Sequence, residues 1–408
     1  MATLGIFTVK KLVCHRGGYW TYGGFGAYLR AILPYFGRVL LVAHVAPGGP
    51  EPGYYPIAHP KLEVVALPPT RSEVGVMAAI PRMAHIARQV VREVDVVHAR
   101  MPDYTGIIGA LAARRQGVPC FHQIVADWCE EARRINPWKK AGLGVALKAH
   151  LSVYDWVERR TCRGQLVFAQ GQSCHAKHAR LADAHLVVSA AHHAADLVSP
   201  AEKFTRRPFQ LLNVARLNSV KNQGLLLRVL RDLHGAGGDW RLTLVGAGPH
   251  RSRLQRETVA LGLADRVTFA GMVEPGPALW RYYDAADVFV LPSRSEGTPK
   301  VVLEAMTRGL PVVAANVSGV PTLVAHERTG LLFEDNNPDS LLNAIQRYER
   351  EPVLRQKVAL AGSAFAREHT VEAETERMMR TVFARWPHLR PIPTVAPTEY
   401  RCGPASEG

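Results

Sequence analysis

Glu296 and Glu304 stand eight residues apart in LPSRSEGTPKVVLEAMTRGLP, residues 291–311. The chemistry on offer is hydrogen-bond acceptance by two carboxylates beside a helix start whose free N–H groups favour a phosphate. The local elements follow from the residue types. Residues 287–291 (DVFVL) form a short apolar run of strand type that ends at Pro292. Residues 293–297 make a polar loop. Thr298 suits an N-cap and Pro299 the first helical position, where a missing N–H costs nothing. The helix runs through VVLEAMTR and stops at Gly309, with Pro311 beyond. Glu296 therefore belongs to the loop at the carboxyl end of a strand, and Glu304 to the helix that follows. Loops at that end of an open α/β sheet are where ligands bind.

The stretch EGTPKVVLEA followed by GLPVVA resembles the Glu-x7-Glu signature of retaining glycosyltransferases of family 4. A lone Glu pair is a weak signal; the pair inside a strand, loop, capped helix, Gly and Pro frame is a strong one. The resemblance covers most of residues 209–369 and implies the two-domain GT-B fold and transfer of a sugar from a nucleotide diphosphate. It implies that Glu304 accepts hydrogen bonds from ribose hydroxyls and that Glu296 faces the donor sugar, with Gly297 and Thr298 in the same loop. Backbone N–H groups around Lys300, Val301 and Val302 are then expected to meet the phosphates. In NVARLNSVKNQG (213–224), Arg216 and Lys221 directly follow a strand, and the resemblance implies that they grip the diphosphate. When the glycosidic bond breaks, charge builds on the leaving phosphate, and fixed cations stabilise it most in the transition state. The Arg fork binds two oxygens while Lys supplies a point charge. By the same resemblance, Gly246 in LTLVGAGP lies near the donor cleft, as a phosphate contact or simply a tight strand-to-helix turn, and Met272 in DRVTFAGMV lies near the nucleobase. No cofactor or metal is expected, since Asp284 and Asp287 read as structural and no DxD-type motif lies near the cleft.

The first half matches less well. His98 (DVVHARMP) and His122 (PCFHQIVADW) both end expected strands. The resemblance implies a His pointing at the donor sugar, and His122 fits that place better. Such a His bonds a sugar hydroxyl or assists proton transfer near neutral pH; the alternative is a His satisfied within the sheet. Gln123 stands where the family often has Asp. In HRGGYWTYGGFG (15–26), Gly17, Gly18, Gly23 and Gly24 form a loop expected to approach the phosphate or acceptor, because only Gly allows close backbone contact. Tyr19, Trp20 and Tyr22 offer rings to stack on a sugar, or a packed lid.

Strand and helix patterns alternate throughout, which indicates a parallel α/β architecture. Strands are expected at 4–9, 39–45, 62–67, 95–99, 119–124 and 186–189, then at 209–214, 241–245, 267–270, 288–291 and 311–314. This order gives two doubly wound, Rossmann-like domains facing a cleft, at 1–198 and 209–370. Residues 199–208 read as the hinge and 389–408 as a Pro-rich tail. The resemblance adds a helix, 371–388, that crosses back onto the first domain.

A chain of 408 residues has material for two or three domains. No eighteen-residue apolar window lacks charge, so no spanning helix is expected, and MATLGIFTVKKLV reads as a first buried strand and not a leader. The six Cys lack zinc-ligand or redox spacing and read as reduced thiols of a cytoplasmic protein. The net charge of +15 does not indicate nucleic acid, because no helix-turn-helix, zinc-finger or RNA-binding pattern accompanies it. The excess is denser in residues 1–200, with 23 Lys and Arg against 13 Asp and Glu. Within it, the basic, aromatic stretch 138–163 suits either an anionic membrane surface or packing on its own domain. The expected protein is thus a retaining hexosyltransferase of polysaccharide biosynthesis at the cytoplasmic membrane face. It moves sugar from a UDP- or GDP-sugar to a hydroxyl of a glycan or lipid-linked saccharide. A sugar-nucleotide epimerase of the same fold and a non-catalytic basic binding module are the alternatives.

Overall fold

The computed structural model describes residues 1–51, 53–70, 73–129, 144–200 and 207–389. Ten strands build the first sheet: β1 (Thr3–Phe7), β2 (Leu12–His15), β3 (Gly18–Tyr22), β4 (Arg38–Pro47), β5 (Tyr54–Pro56), β6 (Leu62–Leu67), β7 (Val96–Met101), β8 (Cys120–Ile124), β9 (Leu166–Gln170) and β10 (Asp183–Val187). Its parallel part runs β10-β9-β8-β7-β1-β4-β6. Every residue of β8 and β9 is buried, as a parallel sheet covered on both faces requires. The strand order reverses between β1 and β7, so their carboxyl ends flank the place where such sheets bind ligands.

The second sheet holds β11 (Phe209–Val214), β12 (Trp240–Val245), β13 (Val267–Gly271), β14 (Val288–Leu291), β15 (Val312–Ala315) and β16 (Leu331–Phe333). Its order, β13-β12-β11-β14-β15-β16, is parallel throughout and reverses between β11 and β14. The fold is therefore α/β with two doubly wound parallel-sheet domains. Five strands were not expected from sequence: β5, β9, β16, and β2 and β3, which pair as one hairpin. In that hairpin Arg16 and Gly17 have φ of +49° and +78°. Two positive-φ residues make the two-residue turn whose twist matches the strands. The stretch expected to be one glycine loop is thus a hairpin, and Gly17 and Gly18 stand in or beside its turn, with nothing within 4 Å of a Cβ at Gly17.

The domains are laced together. The Trp280 indole donates to Asp196 at 3.2 Å and the Arg308 guanidinium to the Asp196 carbonyl at 2.8 Å. His192 bonds the Ala366 carbonyl at 2.8 Å. The helix Val371–Arg385, capped by Thr370, lays Phe383 against Tyr35 and Phe36, with ring centroids 6.3 and 6.2 Å apart. Most of the expected hinge (201–206), the tail (390–408) and the start of the basic stretch (138–143) lie outside the described residues. The rest of that stretch is the helix Gly144–Cys162, which buries Tyr154 against Trp128 and exposes Val153 and Trp156. No helix among the described residues is long and apolar enough to cross a membrane.

Candidate active site

The switch point of the second sheet brings together the loop after β11 and the loop after β14. The first is fixed from inside. Buried Asn213 donates to the Val290 carbonyl at 2.8 Å, and Gln223 donates to the Arg216 carbonyl at 3.1 Å. The Asn218 side chain accepts from the Lys221 N–H at 3.1 Å, and the Arg294 N–H donates to the Val220 carbonyl at 2.8 Å, tying the two loops. Lys221 Nζ then meets Glu296 Oε1 at 2.6 Å. The pair lines a pocket of about 220 Å³ whose other wall, Ala126 and Asp127, belongs to the first domain. Arg216 starts the same loop but is exposed and is not among the residues lining this pocket.

Glycines hold this geometry. A Cβ on Gly319 would stand 1.4 Å from the Gly297 carbonyl oxygen, and the Gly319 N–H donates to the Glu296 carbonyl at 3.0 Å. From the first domain, Gly171 and the Val125 carbonyl close on the same turn: a Cβ on Gly171 would stand 3.1 Å from the Gly297 oxygen, and a Cβ on Gly297 3.1 Å from the Val125 oxygen. Gly319 carries no sequence signal beyond its place in SGVP. Gly246 (φ +133°) and Gly248 answer to the same need: a Cβ there would meet the Ala215 oxygen at 2.1 Å and the Leu217 oxygen at 2.3 Å. Packing of the Arg216 loop accounts for Gly246 without a phosphate.

The helix after β14 spans Lys300–Thr307, one residue later than the residue types suggest. Pro299 takes the cap position, and the buried Thr298 hydroxyl has no hydrogen-bond partner, so Thr298 is not the cap. The Val302 N–H is already committed to the Pro299 carbonyl at 3.0 Å. Lys300 and Val301 occupy the first two positions, whose N–H groups lack intrahelical acceptors. Glu304 faces the same side, one turn on, and accepts from the Tyr283 hydroxyl at 2.7 Å. Burial raises the Glu304 pKa; Tyr283 and Lys300 pull it back in part. Tyr283 is a participant that sequence reading missed. Met272 is half exposed and reaches the first domain, its Cγ 2.6 Å from where a Gly53 Cβ would stand.

His122 does not face the cleft. It lies at the middle of β8, between Ala99 of β7 and Val167 of β9, and is 1% exposed. Burial and nearby His178 push its pKa down to about 3, so it is neutral near pH 7. Adjacent strand residues point to opposite faces, and Gln123 is the one that reaches the cleft. His98 is also buried, bonded to the Tyr28 hydroxyl at 2.8 Å and stacked on Phe121 at 4.5 Å. Gly24, unlike Gly17, does reach the domain junction: a Cβ on Gly24 would stand 2.8 Å from Lys300 Nζ, while one on Gly23 would meet only Lys10, at 4.0 Å.

Asp127, in the pocket wall, belongs to a further cluster. The ligand atoms of Asp127, Cys129 and Asp155 lie within 4.8 Å of one another. The Lys177 ammonium sits among them, 2.6 Å from Asp155, 2.9 Å from Glu158 and 3.4 Å from Asp127. Burial lowers the Lys177 pKa, but the three carboxylates outweigh it and the net direction is upward. Lys177→Met leaves Glu158, 2% exposed, with His178 at 3.5 Å as its basic neighbour. The expected loss is about 3 kcal/mol of stability, the scale of breaking a buried ion pair, read from urea unfolding.

Residues 196–364 match the model of the family Glycosyl transferases group 1. The chain is 33% identical over 163 residues to an uncharacterized glycosyltransferase of Haemophilus influenzae, covering 40% of this chain and 45% of that protein. It is 32% identical over 160 residues to the GDP-mannose-dependent alpha-(1-6)-phosphatidylinositol monomannoside mannosyltransferase of Mycolicibacterium smegmatis, covering 38% and 42%. The chain thus spans less than half the length of these curated relatives. Over 94% of this chain, the structure is similar to sucrose-phosphate synthase from Thermosynechococcus elongatus, with TM-score 0.73, 19% identity and all of that chain covered. Anabaena HepE in complex with UDP-glucose matches with TM-score 0.68 at 19% identity, covering 94% of this chain and 100% of that one. The two-domain fold is that of GT-B glycosyltransferases.

Proposed function

We propose that this chain is a retaining glycosyltransferase that moves a sugar from a UDP- or GDP-sugar to a hydroxyl of a glycan or lipid-linked saccharide. The observation that carries it is the Lys221–Glu296 pair, 2.6 Å apart, in an open pocket at the switch point of the second sheet. Both nucleotides stay in view: one curated relative is named for GDP-mannose, and one structural neighbour was solved with UDP-glucose. In this reading Glu296 holds Lys221 in place until the donor diphosphate arrives. The bond from sugar C1 to the phosphate oxygen then breaks, its electron pair leaving with the diphosphate. Lys221, the start of the helix Lys300–Thr307 and Arg216 from the exposed start of its loop offset that charge. The acceptor oxygen attacks C1 on the same face, and its proton passes to the departing phosphate. Side chains meet the charge, so the scheme uses no cofactor. The basic first half suits work at the cytoplasmic face of a membrane.

Incubation with a panel of UDP- and GDP-sugars tests this. Release of UDP or GDP, faster when saccharide acceptors are added, supports transfer. Conversion of the donor sugar without acceptor identifies an epimerase, and no saturable binding of UDP or GDP identifies a non-catalytic module. Tyr283→Phe keeps the ring contact with Phe289, at 5.8 Å between centroids, and removes the bond to Glu304. It is expected to weaken nucleotide binding about tenfold, the scale of a hydrogen bond to a charged group. Because Tyr283 holds the Glu304 pKa down, its removal raises that pKa further. The acid limb of binding then moves to higher pH, which titrations over a pH series read directly.

A further inference from the structure

The first sheet has a switch point of its own, and no role assigned above uses the side chains there. Lys10 follows β1, and Arg100 is the second-last residue of β7. Lys300 comes to meet them from the second domain. A Cβ on Gly24 would stand 2.8 Å from Lys300 Nζ, and a Cβ on Gly23 4.0 Å from Lys10 Nζ, so the two ammonium groups flank one turn. The Tyr55 hydroxyl pins that turn by donating to the Gly23 carbonyl and accepting from the Gly26 N–H at 3.1 Å. Arg100 lies over the Tyr28 ring at 4.6 Å and donates to Gln123. Among the described residues, no carboxylate is within ion-pair distance of Lys10, Arg100 or Lys300. The nearby acids are engaged: Glu304 by Tyr283, and Glu374 by His369 at 2.5 Å and by Arg377. Arg100, Gln123, Gln170, Ser189, Glu374 and Lys300 line a small cavity of about 30 Å³ whose other walls are largely apolar; Lys10 stands outside it. The cavity shares no residue with the Lys221 pocket. Burial first, then mutual repulsion, brings Lys10 down to about 7 and Lys300 to about 8, with Glu304 holding Lys300 up in part. Three converging cations, none of them in an ion pair and only Lys300 feeling a carboxylate, Glu304, make a place for an oxyanion.

We propose that Lys10, Arg100 and Lys300 form a second anion site, which takes a phosphate or carboxylate carried by the acceptor. This rests on the transferase reading: the donor diphosphate occupies the other switch point, so an anion here belongs to the other substrate. The acceptor class is thus an acidic saccharide or a saccharide phosphate. Binding restores charge to the lysines, so protons are taken up from solution near pH 8.

Isothermal titration tests it on the protein saturated with whichever of UDP or GDP it binds. The probes are inorganic phosphate, glucuronic acid and glucose, at pH 8 in Tris and in HEPES. The expected result is binding of the two anions, at least about tenfold tighter than glucose, with heats that differ between buffers through proton uptake. Lys10→Gln is expected to lose about tenfold in anion affinity with nucleotide affinity unchanged, and Lys10→Arg to retain both. Equal affinity for glucose, or Lys10→Gln binding the anions as wild type does, overturns the proposal. So does a loss confined to nucleotide affinity, which assigns the cluster to the donor diphosphate. Failure of the transferase reading shows separately, as no nucleotide binding in the first titration.

Discussion

Lys221→Ala is expected to lower sugar transfer about 100- to 1000-fold, the cost of removing one preorganised charge from a transition state. The loss should fall in kcat more than in KM, because charge on the leaving diphosphate grows as the bond breaks. The substitution also leaves the Glu296 carboxylate, 9% exposed, without its 2.6 Å partner. A fall in stability is therefore expected beside the kinetic one. The double variant Lys221→Ala with Glu296→Gln separates the two: stability returns and turnover does not. Turnover near wild type in the single variant would remove Lys221 from the reaction.

Gly319→Ala is the second large effect. Its φ is −85°, so backbone strain is not the issue; space is. The new methyl would stand 1.4 Å from a backbone oxygen, and backbone cannot swing aside as a long side chain can. The Glu296–Gly297 turn must move, and Glu296 with it. Displacement of about 1 Å at a reacting centre costs about 100-fold. The expected protein is folded, with a near-native melting profile and transfer reduced by about that factor. A fully active Gly319→Ala enzyme would show that the turn has room.

The residues that sequence reading placed well are those fixed by local chemistry. β11 and β14 announce themselves as short apolar runs bounded by Pro, Asn and charge, and the helix carrying Glu304 ends where Gly309 takes φ +67°. The loops that follow them had to hold Lys221 and Glu296. What stayed hidden depends on contacts made across the chain. β9, a fully buried LVFAQ run, gives no alternation to read. The hairpin of β2 and β3 looks like a glycine loop until Arg16 and Gly17 are seen at positive φ. His122 against Gln123 is a question of which face of β8 meets the cleft, and a one-residue shift reverses the answer. Tyr283 and Gly319 act on partners more than twenty residues away, and Lys10 meets Arg100 and Lys300 only across the fold, so no local pattern marks them.

The most direct test is a calorimetric titration of UDP, GDP, UMP and GMP into wild type and Lys221→Ala. One diphosphate should bind saturably to wild type, and about tenfold or more weaker to the variant, while its monophosphate changes little. If neither diphosphate binds, or if the variant binds it as wild type does, then the pocket at Lys221 and Glu296 is not a seat for a sugar nucleotide.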